Sequence, residues 1–438
     1  MRDGPVRRLL VITYHFPPDG AIGGQRWAGL SKYLARLGWD VDVITAAAET
    51  PESAIAGVRR HVVKPRLTLN DLYKSGVTRI RRRSQSASGR AVPAAKVARR
   101  NPLVPGIGAI RETISRAMYF PDYGRGWIGR AAAKARALLR TRQFDVVVTS
   151  GPPHSAHYAG LLATLGSKVP HWVDMRDPWS VAHGRHLPDD PFFRVERAIL
   201  SLLERLLFSR AAKVIVNTTQ FASMLRSAHS DLDVTSFPNG IDLEGIPARD
   251  VRDVEQGSIA YLGALYAGRN LSSVFKAMSA LKRKNPEAAA RLRLTIAGPT
   301  EATHLAEMLE QIATAELSTL VEFRGAIARQ EALMLLNRSH VALVLAQDQP
   351  MQVPAKLYEC IGMGVATLVL AEETSAAATE AARIGAMTLD GADVDGMESL
   401  LCDLLESRIP VRIEPTGPIS YEDLAAKMDR MLQQAVTA

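Results

Sequence analysis

RRLLVITYHFPPDGAIGGQRWAGLSKYLARLG, residues 7–38, decides the architecture. Its apolar run LLVIT (9–13) is short, β-branched in part and bounded by turn formers, as a buried strand is. Pro17 and Pro18 end that strand, because proline cannot donate to a ladder. From Ala28 onward apolar residues recur at spacings of three and four, which predicts a helix. Strand, loop and helix in this order make a βα unit of a parallel sheet. Gly23 and Gly24 in the connection permit backbone angles, and a close approach by a ligand, that a Cβ forbids. The helix start beyond them offers free N–H groups and a positive dipole end to an anion. The stretch reads as an anion-holding loop or as an ordinary glycine-rich turn, and by itself leaves both open.

The alternation continues along the chain. RRLLVITY, WDVDVITA, FDVVVTSG, PHWVDMRD, AKVIVNT and DVTSFPN read as strands of a first half, with helical patterns between them such as FFRVERAILSLLERLLFSRA (192–211). SIAYLGAL, RLRLTIAG, TLVEFRGA, HVALVLA, ATLVLAE and AMTLDG repeat the scheme. At 438 residues the chain exceeds one ordinary core. The expected fold is α/β, with two Rossmann-like doubly wound domains facing a central cleft. The first spans 1–240 with a basic insertion at 57–116; FPNGIDLEGIPARDVRDVEQG supplies a linker, 241–257. The second spans 258–419, and a helix at 420–438 is expected to pack back on the first. Ligands of such sheets bind at the carboxyl ends of the strands.

Composition narrows the class. Hydrophobic residues make up 47% and charged ones 23%, as in a globular protein. Two cysteines, Cys360 and Cys402, form no disulfide framework and fit a reducing compartment. The N-terminal apolar run is five residues, short of a signal-peptide core of about 7–15. IGMGVATLVLA (361–371) is too short for a span of about 20 residues. A cytoplasmic protein is expected. Segment 57–116 holds fifteen Lys or Arg against Asp71 and Glu112, a local +13 that leaves −4 for the rest of a chain whose net charge is +9. Such a patch implies a local anionic partner: lipid headgroups, a lipid-linked phosphate or nucleic acid. Nucleic acid is disfavoured, as the segment lacks interleaved aromatics.

Candidate chemistry gathers after the strands. The second strand carries no terminal acid and the first loop is not GxGxxG, which speaks against a dinucleotide site. YLGALYAGRN places Gly263 and Arg269 where a guanidinium can clamp a diphosphate. MQVPAKLYECIGMG (351–364) opens a helix at Pro354, adds Lys356, and sets Glu359 one turn in, suited to gripping a ribose diol. TSGPPHSAHYAG offers Ser150, His154 and His157; VDMRDPWS offers Arg176 and Asp177. By residue type Asp177 can orient or deprotonate a hydroxyl and Arg176 can pair with phosphate. The alternatives are a helix cap for His154 and a simple turn for Asp177–Pro178. The pairs His154/His157 and His183/His186 lack carboxylate partners, so no metal site is expected.

YHFPPDGAIGGQR, FPNGID, YLGALYAGRN, FRGAIARQEALMLLNRSHVAL and PAKLYECIGMGVATLVL, in this order, resemble family-4-type retaining glycosyltransferases of GT-B fold, of the kind that builds bacterial cell-surface polysaccharide. The resemblance covers 7–375. It implies a metal-independent transferase that moves a sugar from a nucleotide diphosphate to a hydroxyl of a glycan or lipid-linked acceptor, at the cytosolic membrane face and without a cofactor. The implied donor set is Gly23, Gly24, Gly263, Arg269, Ile327, Lys356, Leu357 and Glu359; the catalytic set is Asp177, His154 and Arg176. Glu359 matches the second glutamate of the family's glutamate–seven residues–glutamate motif, while Met351 stands where the first belongs. A silent sugar-nucleotide-binding relative, or a transferase acting on a soluble acceptor, is the alternative.

Overall fold

The structure, a computed structural model, describes residues 6–19, 21–48, 50–66, 120–179, 191–266 and 268–437. Most of the basic segment 57–116 and the pair His183/His186 lie outside the described residues. The chain divides into two compact units, Met1–Trp27 with Gly38–Val214, and Ala28–Leu37 with Ile215–Ala438.

The first sheet has seven strands: β1 (Arg8–Thr13), β2 (Asp40–Thr45), β3 (Val58–Val62), β4 (Val146–Gly151), β5 (His171–Met175), β6 (Lys213–Val216) and β7 (Val234–Ser236), in the order β3-β2-β1-β4-β5-β6-β7. β1 pairs in parallel with β2 and with β4, Leu9 lying opposite Val41 and Val146. β1, β2, β4 and β5 are buried on both faces, as strands of a helix-covered parallel sheet must be. The helices are α1 (Ile22–Arg36), α2 (Ile128–Thr141), α3 (Ser155–Thr164), α4 (Pro191–Phe208) and α5 (Thr219–Ala228). Leu10, Ile12, Ile44 and Val147 of the strands close a core with Ala131, Ala135 and Leu138 of α2 and with Ala156, Ala159 and Ala163 of α3. Small residues on these two helices bring them close to the sheet.

β3 was read as part of the basic insertion; its sequence VRRHV has no apolar alternation. Its cations instead serve the sheet edge: Arg59 pairs with Asp40 and Asp42, and His61 Nε2 lies 2.7 Å from Asp42 Oδ1. Arg142 from the end of α2 completes the ring around buried Asp42, at 2.5 Å.

The second sheet has six strands: β8 (Glu255–Leu262), β9 (Arg293–Ala297), β10 (Val321–Gly325), β11 (Ser339–Leu345), β12 (Ala366–Leu370) and β13 (Met387–Leu389), in the order β10-β9-β8-β11-β12-β13. Its helices are α6 (Ser272–Lys284), α7 (Pro286–Ala289), α8 (Ala302–Thr314), α9 (Arg329–Arg338), α10 (Ala355–Gly362), α11 (Ala376–Ile384), α12 (Val394–Leu405) and α13 (Tyr421–Thr437). Alternate strand residues divide between two layers. Ile259, Tyr261, Leu343, Leu345, Leu368 and Leu370 pack on α6, α8 and α12; Leu262, Ala342, Val344 and Val369 pack on α9, α10 and α11. Local chemistry fixes the helix ends. Ser375 caps α11 by accepting from Ala378 N, and Gly385 ends it at φ 86°. Glu255–Gly257 of the expected linker already belong to β8, and the Tyr421 ring of α13 lies against Gly29, both in the second unit. Among the described residues no helix is long and apolar enough to cross a membrane.

Candidate functional site

In each sheet the strand order reverses beside the strand that comes first in sequence within that sheet, between β1 and β4 and between β8 and β11. At such a switch point the two adjoining loops run to opposite faces and leave a crevice at the strands' carboxyl ends.

In the first unit the loop after β1 folds back on the start of α1. A Cβ on Gly24 would lie 2.9 Å from the Phe16 backbone, and one on Gly23 would lie 2.6 Å from the Arg176 guanidinium. Both glycines therefore sit within the first turn of α1, which begins at Ile22, rather than ahead of it. Arg176 itself is buried; its Nε donates to Gly151 O at 3.0 Å and its Nη2 to Pro152 O at 2.9 Å. It braces the loops after β1, β4 and β5 together, with Asp177 half-buried next to it.

His154 occupies the position before α3 but does not cap it with its side chain. Asp122 does: its Oδ2 accepts from Ser155 N at 2.8 Å and its Oδ1 from the Ser155 hydroxyl at 2.5 Å. Burial raises the Asp122 pKa above the usual carboxylate value against the pull of these bonds. The His154 ring stacks on Trp179, with centroids 4.8 Å apart. His157 Nδ1 and His171 Nε2 flank the Thr149 hydroxyl at 3.0 and 2.8 Å. Burial holds His157 well below its ordinary pKa and pushes His171 down to about 4, so both are neutral packing groups.

Two clusters here escape sequence reading. Asp174, fully buried on β5, accepts from Arg26 Nη2 at 3.0 Å and Nε at 3.2 Å, and from Trp27 Nε1 and the Ser150 hydroxyl at 2.8 Å each. This locks α1 to β4 and β5 and aims its first turn at the switch point. Nearer the surface, His15 Nδ1 lies 2.5 Å from Asp19 Oδ2, and its Nε2 lies 2.7 Å from the Tyr123 hydroxyl. Burial opposes ionisation of Asp19, yet hydrogen bonds from His15 and from Ala21 N, with the His15 charge, hold its pKa below the usual value. The visible signal was the spacing His-x-x-x-Asp, which prolines bend into a turn.

In the second unit Gly263 follows β8 and donates its N–H to Ala297 O at 3.0 Å. Gly298, at φ 149°, comes so close that a Cβ would lie 2.0 Å from Gly263 O. Arg269 lies over the Tyr266 ring at 4.7 Å and donates through Nη2 to Gln349 Oε1 at 3.0 Å. Gln347 accepts from Asn270 N at 3.1 Å and donates to Asn270 O at 3.0 Å, tying the loop after β11 to the loop after β8. Among the described residues Arg269 has no carboxylate partner. α10 opens at Pro354 with no side-chain cap hydrogen bond, in the connection that follows β11. Glu359, 6% exposed, is held by Lys356 and, at 2.8 Å, by Arg329. Leu357 is fully buried in the core on which α10 packs, and Ile327 is half-buried against the same core. The Met351 carbonyl accepts from the Thr218 hydroxyl at 2.9 Å.

Two doubly wound parallel sheets in one chain, each ordered around a switch point that carries glycine turns and arginine, define the GT-B class. Residues 23–240 match the Glycosyl transferase 4-like domain family, and the chain belongs to the family-4-type glycosyltransferases of GT-B fold. No curated protein matches the sequence. Among solved structures, HepE of Anabaena, crystallised with UDP and glucose, shares the fold at TM-score 0.58 and 11% identity, over 98% of this chain and 100% of that one. Sucrose-phosphate synthase of Thermosynechococcus elongatus does so at 0.57 and 12%, over 98% of each. The trehalose-6-phosphate synthase OtsA reaches 0.61 and 16%, over 98% and 99%.

Proposed function

We propose that this glycosyltransferase takes its sugar from a nucleotide diphosphate held at the β8/β11 switch point and passes it, with retention, to a hydroxyl of a glycan or lipid-linked acceptor at the cytosolic membrane face. The observation that carries this reading is Arg269, a half-buried cation tethered by a neutral glutamine and stacked on a tyrosine, beside the uncapped start of α10. A guanidinium so placed lacks only an anion of matching shape. The solved relative's complex with UDP-glucose supports a nucleotide sugar as that anion. In a front-face displacement the leaving β-phosphate takes the acceptor's proton, so the protein's task is to stabilise charge on the diphosphate. Arg269, Lys356 and the first amides of α10 do this, and Glu359 takes the ribose. In the first unit Gly23 and Gly24 let the Arg176 guanidinium and the Phe16 backbone close against the start of α1, a floor for the acceptor side with Asp177 and His154 nearby.

Calorimetric titration with UDP, uridine and UDP-glucose tests the reading. Arg269→Ala is expected to cost about 2–3 kcal/mol for UDP and little for uridine, because the lost contact is charge-assisted and made to phosphate. Equal losses for both ligands refute the role of Arg269. NMR of the product made from an α-linked donor is expected to show an α-anomer.

A further inference from the structure

We propose that α4 is a docking surface for an anionic lipid bilayer. A helix covering a sheet of a globular protein turns its polar side outward; α4 does not. Val195, Ile199, Leu202 and Leu206 are 58, 43, 67 and 49% exposed. Their spacings of four, three and four residues bring all four within an arc of about 60° on a helix that turns roughly 100° per residue. The opposite side carries the packing: Leu200, Leu207 and Phe208 are buried against the first unit. Of the helix's two acids, Glu204 faces away from the stripe and is buried, while Glu196, half-buried, lies at one margin, about 90° from the stripe's centre. Arg194, Arg205 and Arg210, all exposed, flank it. The outward face is thus apolar along its centre, with exposed Arg194 and Arg205 along one margin, exposed Arg210 just past the helix end, and half-buried Glu196 on the other margin.

That combination selects the occupant. A second copy of this chain with its α4 packed antiparallel across a two-fold axis would bring the Arg194 and Arg205 margin against the same margin of its partner. A bilayer of anionic lipid answers both halves: acyl boundary for the leucines, headgroup phosphate for the guanidinia. From Val195 to Leu206 the stripe runs about 16 Å at 1.5 Å per residue, room for several headgroups along one contact line. The surface is distinct from segment 57–116 and does not depend on the donor site, so each can be tested apart.

The test is co-sedimentation of the full chain with vesicles of phosphatidylglycerol and phosphatidylcholine, against vesicles of phosphatidylcholine alone, at low and moderate salt. The wild-type chain is expected to bind the anionic vesicles and to release as salt rises. Arg205→Gln with Arg210→Gln is expected to weaken binding about 30-fold, near fivefold per cation at an anionic surface, and to flatten the salt dependence. Leu202→Gln with Leu206→Gln is expected to weaken it about tenfold or more while leaving the salt dependence in place. All four side chains are exposed, and UDP titration of the same preparations checks that the donor site is unaffected. Variants that bind anionic vesicles as wild type does overturn the proposal, as does equal binding to the neutral vesicles. A shift in sedimentation velocity between wild type and the leucine variants, with no change in vesicle binding, overturns it in favour of a second copy.

Discussion

Asp174→Asn isolates the interaction that aims α1. The substitution keeps the shape of the side chain and removes its charge, in a place where Asp174 is 0% and Arg26 2% exposed. Oδ1 receives Arg26 Nη2 at 3.0 Å, and Oδ2 receives Arg26 Nε, Trp27 Nε1 and the Ser150 hydroxyl at 3.2, 2.8 and 2.8 Å. Whichever way the new amide turns, its NH2 meets a donor, and the buried guanidinium loses the Asp174 carboxylate. Removing one partner of a buried pair costs about 3–5 kcal/mol, a large share of the roughly 5–15 kcal/mol that holds a native domain. At about 2–4 °C per kcal/mol for a unit of this size, the midpoint should fall by roughly 6–20 °C. The assay is clean, because all five tryptophans, Trp27, Trp39, Trp127, Trp172 and Trp179, lie in the first unit. Intrinsic fluorescence during urea or thermal unfolding therefore follows that unit alone. Arg26→Met combined with Asp174→Asn should be less destabilised than Asp174→Asn, since the stranded charge is gone. A loss below about 1 kcal/mol for Asp174→Asn, or strict additivity in the double variant, refutes the reasoning.

Acid should weaken the first unit through the histidines at Thr149. Above the unfolded value of about 6.5 both states are neutral and stability is flat; as pH falls from there toward 4, the unfolded chain takes up protons that buried His157 and His171 refuse, at up to about 1.4 kcal/mol per pH unit for each. Tryptophan-monitored unfolding from pH 7 to 5 should show this slope, and His171→Gln should shallow it; an unchanged slope in the variant contradicts the assignment. Gly298→Ala places a Cβ 2.0 Å from Gly263 O at a φ of 149°. It should cost about 1–3 kcal/mol or more and weaken UDP binding with it, as circular dichroism in urea and calorimetry would show. Wild-type stability and affinity would mean that the β8 and β9 loops are not rigidly apposed.

The strands were legible wherever burial on both faces makes an uninterrupted apolar run: LLVIT of β1, VVVTS of β4 and HVALVL of β11 each appear where they were expected. β3 was not, because an edge strand answers to its partners rather than to a core, and VRRHV is built to neutralise Asp40 and Asp42. Arg269, Lys356 and Glu359 could be singled out because they fall in the connections after β8 and β11, where the fold class alone directs attention. The groups that brace the first switch point were not. Tyr123 reaches His15 across 108 residues and Arg26 reaches Asp174 across 148, and no local pattern announces such pairs. Asp122 likewise caps a helix that begins 33 residues later. Long-range polar closure is what single-sequence periodicity cannot express.

The grip on Glu359 has a consequence for how a ligand is admitted. Lys356 and Arg329 neutralise this carboxylate, so a ribose arriving alone would trade ionic contacts for neutral ones and gain little. A diphosphate changes the terms: it offers Lys356 a second anion, and every ångström the ammonium moves toward phosphate loosens its hold on Glu359. The Lys356 ammonium, with three donors, can share them between Glu359 and a phosphate, each weakening the other's hold. If Glu359 takes the ribose as proposed, the two halves of a nucleotide would bind cooperatively, the phosphates drawing Lys356 away from the carboxylate, and a bare nucleoside would bind more weakly.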